Sequence, residues 1–430
     1  MKFDSVKIAT AFAAAAAMTA AAAPEGYDNS AGFWVGNTLN VSPFFDISYQ
    51  RDDNPNSLRQ YSKDDAEKRN LKKQDEDSDT MVYKGGLNFL LPGNHWRLDG
   101  RAYVNKEHSS NADVDDRTDY FEAMILKGWT DNGTSWAIGE TYKDIRYDDD
   151  FELSQDDRKV FDVDGNADSA ITDKSHLLLR AGYTDYNYDD DTNYDYTVLR
   201  GGIGFAHVLT DKTDWTLNAN YRTYDKDSYD SNAWGVNGQI GLRTRSTEKL
   251  TFSTSVGAEY YRDYEYTMIA ADGTNLGKKN KGDDDVNFVY NISGNWKMAK
   301  RLSLSVSGNS QFEPAQDVGD NSLFANTISA ILTYSPGDHW KLSCGTSYEH
   351  DDYNRKVAKF TDRTGNPYTS VEKGGKDRTD NELRYFANVS YSITRYCSVF
   401  ANWRYTDTNS TIDGYDYDRQ RYGAGISLRY

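Results

Sequence analysis

The chain has only two cysteines and seven prolines in 430 residues, and no apolar run outside its first two dozen residues. Two cysteines leave little room for a disulfide framework, and no CxxC or Cys/His cluster indicates zinc. Few prolines and 33 glycines exclude collagen-like and proline-rich classes. Without stretches of ~20 apolar residues, a bundle of membrane helices is excluded as well. Mean hydropathy is -0.82 and only 37% of residues are hydrophobic. Yet 14% are aromatic, with 33 Tyr and 9 Trp, which is too rich for an acidic disordered chain. A chain this polar needs an architecture that hides half its residues from water without a large core.

Residues 1–22 read as a signal peptide. Lys2 and Lys7 precede an Ala-rich apolar run, Ile8 to Ala23, with a small-residue cleavage site. Pro24 blocks a cut directly before it, so cleavage is expected after Ala22. Removing Lys2, Asp4 and Lys7 makes the net charge of -18 one unit more negative. Such an anionic chain is a poor nucleic-acid binder, and no nucleic-acid partner is expected. Residues 23–37 are read as a short periplasmic segment and 38–430 as one domain.

From residue 38 onward apolar residues recur at every second position, the period of a strand with two unlike faces. Trp215, Leu217, Ala219 and Tyr221 alternate with Thr216, Asn218, Asn220 and Arg222. Leu302, Leu304 and Val306 alternate with Ser303, Ser305 and Ser307. A soluble sandwich would alternate too, so three further features decide. Connections alternate between short turns (92–95, 130–134, 210–214, 335–339) and long acidic segments (52–79, 265–285, 352–379), a transmembrane-barrel pattern. Aromatics gather at strand ends: Trp96, Trp136, Trp215 and Trp340 after short turns, and Tyr49, Tyr147, Tyr188, Tyr224, Tyr264 and Tyr405 beside long connections, as two interfacial girdles would require. The last strand places Tyr422, Ala424, Ile426, Leu428 and Tyr430 on one face.

These features predict an all-β fold, a transmembrane antiparallel up-and-down β-barrel of about eighteen strands, with sixteen as the alternative count. The weakest strand is 158–171, whose thin face is Val163, Gly165, Ala167, Ser169 and Ile171. It is included because Ile171–Ser175 copies the turn Leu209–Thr213. Strand 118–129 is ambiguous in phase, since one face carries Glu122 and the other Lys127. Eighteen strands ~4.8 Å apart and tilted ~40° make a cylinder roughly 35 Å across, wide enough for a water channel. Such a wall passes small polar solutes by default.

The sequence resembles bacterial outer-membrane β-barrel porins, of the putative β-barrel porin type. The resemblance is carried by the signal peptide, by Leu39 to Tyr49 running into Asp52–Pro55, and by the terminal strand. It implies residence in the outer membrane of a Gram-negative bacterium, among its lipids and lipopolysaccharide. It also implies homotrimer formation, a pore linked to uptake or export of saccharides, and no catalytic residues. Tyr422, Ile426, Leu428 and Tyr430 are then a signal for the barrel assembly machinery, although Gly423 stands where a polar residue is usual. The rival class is a non-conducting surface barrel: an adhesin, a scaffold or a polysaccharide-export partner.

By strand phase Arg97, Arg101, Arg180, Arg200, Arg222, Arg243, Arg384 and Arg404 point into the lumen, with Asp99 and Glu382. A charged ring sets ion preference, and guanidinium forks suit carboxylates and sugar hydroxyls. The plainer role of such residues is Arg–carboxylate laddering that stiffens the wall. Acidic clusters at Asp52–Asp53, Asp148–Asp150, Asp189–Asp191, Asp283–Asp285 and Asp351–Asp352 read chiefly as a solvated surface, with cation bridging to lipopolysaccharide as the other reading. Asp162–Asp168 mimics a calcium loop but lacks its twelfth-position Glu, so it is read as strand, and no metal or cofactor is expected. The six histidines are scattered and neither GxSxG nor HExxH occurs, so the chain is not read as an enzyme.

Overall fold

The computed structural model describes residues 20–21, 32–36, 38–53, 78–110, 116–147, 157–188, 195–226, 232–247, 249–264, 266–269, 275–280, 284–314, 320–355, 360–361, 367–368, 378–411 and 416–430. Eighteen long strands make the wall: β1 Leu39–Asp52, β2 Ser78–Pro92, β3 Trp96–Ser109, β4 Arg117–Trp129, β5 Ser135–Tyr147, β6 Arg158–Thr172, β7 Ser175–Tyr188, β8 Tyr196–Thr210, β9 Thr213–Lys226, β10 Ala233–Thr247, β11 Leu250–Arg262, β12 Asp284–Ala299, β13 Leu302–Pro314, β14 Asp320–Tyr334, β15 Trp340–Arg355, β16 Arg378–Ser392, β17 Cys397–Ser410 and β18 Tyr417–Arg429. Each pairs antiparallel with the next, and β18 returns to β1 from Arg429↔Phe44 to Arg421↔Asp52. The wall is thus closed with eighteen strands, and the sixteen-strand alternative falls. Closure gives every strand of the wall a neighbour on both sides, as a membrane span requires.

Phe33–Val35 pairs with Leu39–Val41 just where the β18 ladder ends, and Ala20–Ala21 adds a two-residue strand beside it. Phe33 stacks on Tyr430 at 4.1 Å, and Tyr396 lies 5.0 Å from that ring on a near-parallel plane. The rest of the expected signal peptide lies outside the described residues. So do Asp148–Asp150, Asp189–Asp191, Asp283 and most of the long connections.

Register settles which face each side chain takes. Phe45 and Tyr49 are exposed on the outer wall, whereas Phe44 and Ser48, the residue before each, are buried on the inner one. Following the ladders from there, Leu199, Ile203, Leu217, Ile240 and Val256 also face outward and are exposed, as a lipid-facing band requires. β6 is a full wall strand, with Val163, Gly165 and Ala167 outward and Asp162, Asp164 and Asp168 inward. The calcium-loop lookalike is therefore strand.

In β4, Lys127 faces the lumen and Glu122 the outside, because Arg117 and Asp119 must face inward beside Asn105. Glu140 of β5 is also outward and exposed, diagonal to Glu122.

The upper girdle needs correction. Tyr49 and Tyr405 lie on the outer face, but Tyr188, Tyr224 and Tyr264 belong to an aromatic cluster inside the tube, and the side chain of Tyr147 lies outside the described residues. Nearness to a long connection sets a residue's height on the wall, while strand parity sets its face.

Candidate functional site

The inner wall is built from the polar half of each alternation. At the short-turn end it is open: Asn291, Ser293 and Asn295 of β12 face inward and are exposed. Toward the long-connection end the same wall is covered. Tyr196, Val198, Tyr224, Ala233, Glu259, Tyr261 and Val289 are inward by register and all buried. Rings as large as those of Tyr196, Tyr224 and Tyr261 are buried on an inward face where something fills the lumen beside them. That filler includes Phe312 of β13, fully buried with Tyr186, Tyr188 and Phe324 packed around its cluster.

Every lumen candidate read from strand phase does face inward, but they fall into two groups. Most are paired. Arg97 meets Asp99 at 2.5 Å, with Lys127 3.9 Å from the same carboxylate. Arg200 contacts Asp162 at 2.6 Å and Asp164 at 3.1 Å. Arg222 and Glu259 approach to 2.5 Å, and Arg243 and Asp214 to 2.8 Å. Arg384 bridges Glu349 at 3.2 Å and also contacts Glu382, whose other partners are Thr408 and Tyr417.

Arg101, Arg180 and Arg404 form no ion pair among the described residues. Arg101 lies over Phe44 at 4.7 Å and Tyr103 at 5.2 Å, and its Nε is buried without a hydrogen-bond partner. Lys84 Nζ sits 3.9 Å above the same Tyr103 ring, which stacks on Phe121. Arg404 stands opposite Arg421 in the ladder. Cations over ring faces are stabilised by the quadrupole and keep their charge, and here Asp46 stands across the ladder from Lys84.

Sequence reasoning missed Glu259, Asp162, Asp214, Tyr224, Tyr261 and Phe312 as parts of the lumen. One signal was available: the outer face of β13 runs Leu304, Val306, then Gly308 and Ser310, so its lipid-facing character stops midway.

Asp52, placed by sequence among loop acids, instead closes the barrel. It accepts Arg419 Nη2 at 2.5 Å and Arg421 Nε at 3.0 Å, while Asp53 accepts the Gln420 N–H at 2.5 Å. Tyr422, Ile426, Leu428 and Tyr430 are exposed on one outer face of β18. Cys344 and Cys397 are free thiols on β15 and β17.

A catalytic line is nearly drawn but broken by the wall. Ser175 Oγ lies 3.0 Å from His207 Nδ1, and His176 Nδ1 lies 2.7 Å from Asp168. The first pair is on the outer face with Trp215 and the second faces the lumen, so they share no site.

Residues 286–430 match the model of the family described as Putative beta-barrel porin 2. No curated protein matches the chain. Among solved structures it is similar to the FrpB iron transporter of Neisseria meningitidis, with 8% identity over 90% of this chain and 81% of that one, at a TM-score of 0.43. OccK2 of Pseudomonas aeruginosa is similar at 10% identity over 90% and 97%, TM-score 0.44. A ferric enterobactin receptor mutant from the same organism, in complex with enterobactin, gives 9% identity over 92% and 82%, TM-score 0.49. The closed antiparallel wall, its apolar outer face and polar inner face, and the family match make this chain a β-barrel of the Gram-negative outer membrane, similar over residues 286–430 to that porin family.

Proposed function

We propose that the barrel is a porin through which small polar solutes, saccharides among them, diffuse passively, and that it performs no catalysis. The carrying observation is the contrast across β12: Asn291, Ser293 and Asn295 are exposed toward the lumen, while Phe288 and Trp296 are exposed toward lipid. A wide strand cylinder with such an inner face holds water. Guanidinium forks beside ring faces, as at Arg101 with Phe44 and Tyr103, suit solutes with several hydroxyls. In this reading Arg101, Arg180 and Arg404 set an anion preference, because none of them is ion-paired among the described residues. The face of Tyr422, Ile426, Leu428 and Tyr430 serves the barrel assembly machinery, and the outer wall meets lipid and lipopolysaccharide.

Single-channel recording of the purified chain in planar bilayers tests the pore, with liposome swelling in sugars of rising size for the solute class. Filling of the upper lumen by Phe312 and its neighbours favours one other reading, a non-conducting surface barrel acting as adhesin, scaffold or polysaccharide-export partner. A stable absence of conductance from folded barrels would select it.

A further inference from the structure

The β12–β13 seam differs from the rest of the wall. Its ladder runs only from Ala299↔Leu302 to Asn291↔Asn309. Beyond that point β12 continues with β11 to Arg262↔Asp284, and β13 continues with β14 to Pro314↔Ser322. The two strands part. Ser310 Oγ stitches the fork, accepting the Tyr290 N–H at 2.8 Å and reaching the Phe288 carbonyl at 3.5 Å. On the outer side, Val286 and Phe288 are left 62% and 64% exposed, the highest values of any large apolar residue described.

Past the fork β13 turns into the tube. Phe312 stacks on Tyr261 at 4.2 Å and meets Tyr224 edge-on at 5.8 Å. Its N–H donates to Glu259 Oε2 at 3.1 Å, and its carbonyl accepts the Tyr224 hydroxyl at 3.1 Å. These are the strand-edge groups that β12 would otherwise satisfy, and a buried backbone group must find some partner. Glu259 is 0% exposed. Its other oxygen takes Arg222 Nη2 at 2.5 Å, and Arg222 Nη1 donates to Gln311 Oε1 at 3.0 Å. Two inward side chains of the nearby strands β9 and β11 thus replace a strand ladder.

We infer that the inturned tip of β13 is the constriction of the channel, and that Glu259, with Tyr224, is the positioning residue that holds it there and sets the largest solute passed. The inference rests on the pore reading above. Without the latch, the Phe312 edge regains its partners only by pairing with β12, which moves the tip out of the lumen. Glu259 is suited to the role because a buried carboxylate bridging a guanidinium and a backbone N–H is costly to strip of either partner.

The test uses the full chain, wild type and the variants Glu259→Gln, Tyr224→Phe and Phe312→Ala, each first shown to be a heat-modifiable barrel. Conductance follows the narrowest water-filled section, so Glu259→Gln and Phe312→Ala should each raise it by about twofold or more and admit larger sugars in liposome swelling. Wild type and variants with equal conductance and equal size cut-off would overturn the inference and leave the pore standing. A silent wild type beside a conducting Glu259→Gln would support the latch and refute open passive diffusion. Silence from all of them would remove both. Independently of conduction, Tyr261→Cys with Phe312→Cys, in a Cys344→Ser, Cys397→Ser background, should be joined by a short bis-thiol reagent in membranes. Failure of that link in folded barrels would overturn the placement of the tip.

Discussion

Replacing Asp52 by Asn should weaken the barrel where it closes. The Asp52 side chain is 7% exposed and accepts from Arg419 Nε at 2.9 Å, Arg419 Nη2 at 2.5 Å and Arg421 Nε at 3.0 Å. Removing one partner of a buried ion pair costs ~3–5 kcal/mol, because the remaining charge stays buried and uncompensated. Here two guanidiniums would face each other, but Arg419 is 22% and Arg421 36% exposed, so water recovers part of the loss. A cost of about 2–3 kcal/mol follows. With a urea m-value of about 3 kcal/mol/M, the midpoint drops by nearly ~1 M. The assay is urea unfolding of the barrel in lipid vesicles, followed by tryptophan emission and by the heat-dependent gel shift. Asp99→Asn is the internal control. Its partner Arg97 is 45% exposed, and the pair should be worth under about 1 kcal/mol. Equal midpoints for the two variants would refute the claim that closure is held by Asp52 rather than by the ladder alone.

Other outcomes follow from the same geometry. Arg404→Glu combined with Arg101→Glu should shift the reversal potential in a salt gradient toward cations; an unchanged potential would remove the unpaired arginines from selectivity. Gly257→Ala should destabilise by ~1–3 kcal/mol, since a Cβ there would sit 1.9 Å from the Gly238 carbonyl oxygen of the neighbouring strand, and wild-type stability would contradict that close approach. Glu122→Leu with Glu140→Leu should raise the unfolding midpoint in vesicles, each by less than the ~2–4 kcal/mol of a midplane cation, provided both meet lipid. A fall would mean that this face is covered by something polar.

Much of the fold was legible in the chain because a barrel wall obeys a period of two. Parity alone placed Arg97, Arg180, Arg384 and the rest on the inner face, and the turn copied at Ile171–Ser175 identified β6 despite its thin outer face. Where parity was read together with position the result was less secure. Tyr224 and Tyr264 stand near long connections, as girdle residues do, yet they lie inside the tube. Partners were not legible at all. Nothing in the spacing distinguishes Arg222, locked to Glu259, from Arg404, which has no ion pair among the described residues, because pairing depends on stagger between strands far apart in sequence.

Composition, alternation and turn rhythm therefore determined by themselves that this chain is a closed wall with an apolar outside and a polar inside. These are local properties, set by a two-residue repeat and by where the chain reverses. Only the tertiary structure decided that Asp52 closes the ring and that β13 leaves the wall to fill its upper lumen. Both depend on contacts between residues 53 to 369 positions apart. The free energy of such contacts comes from burial and charge compensation, which no local pattern records.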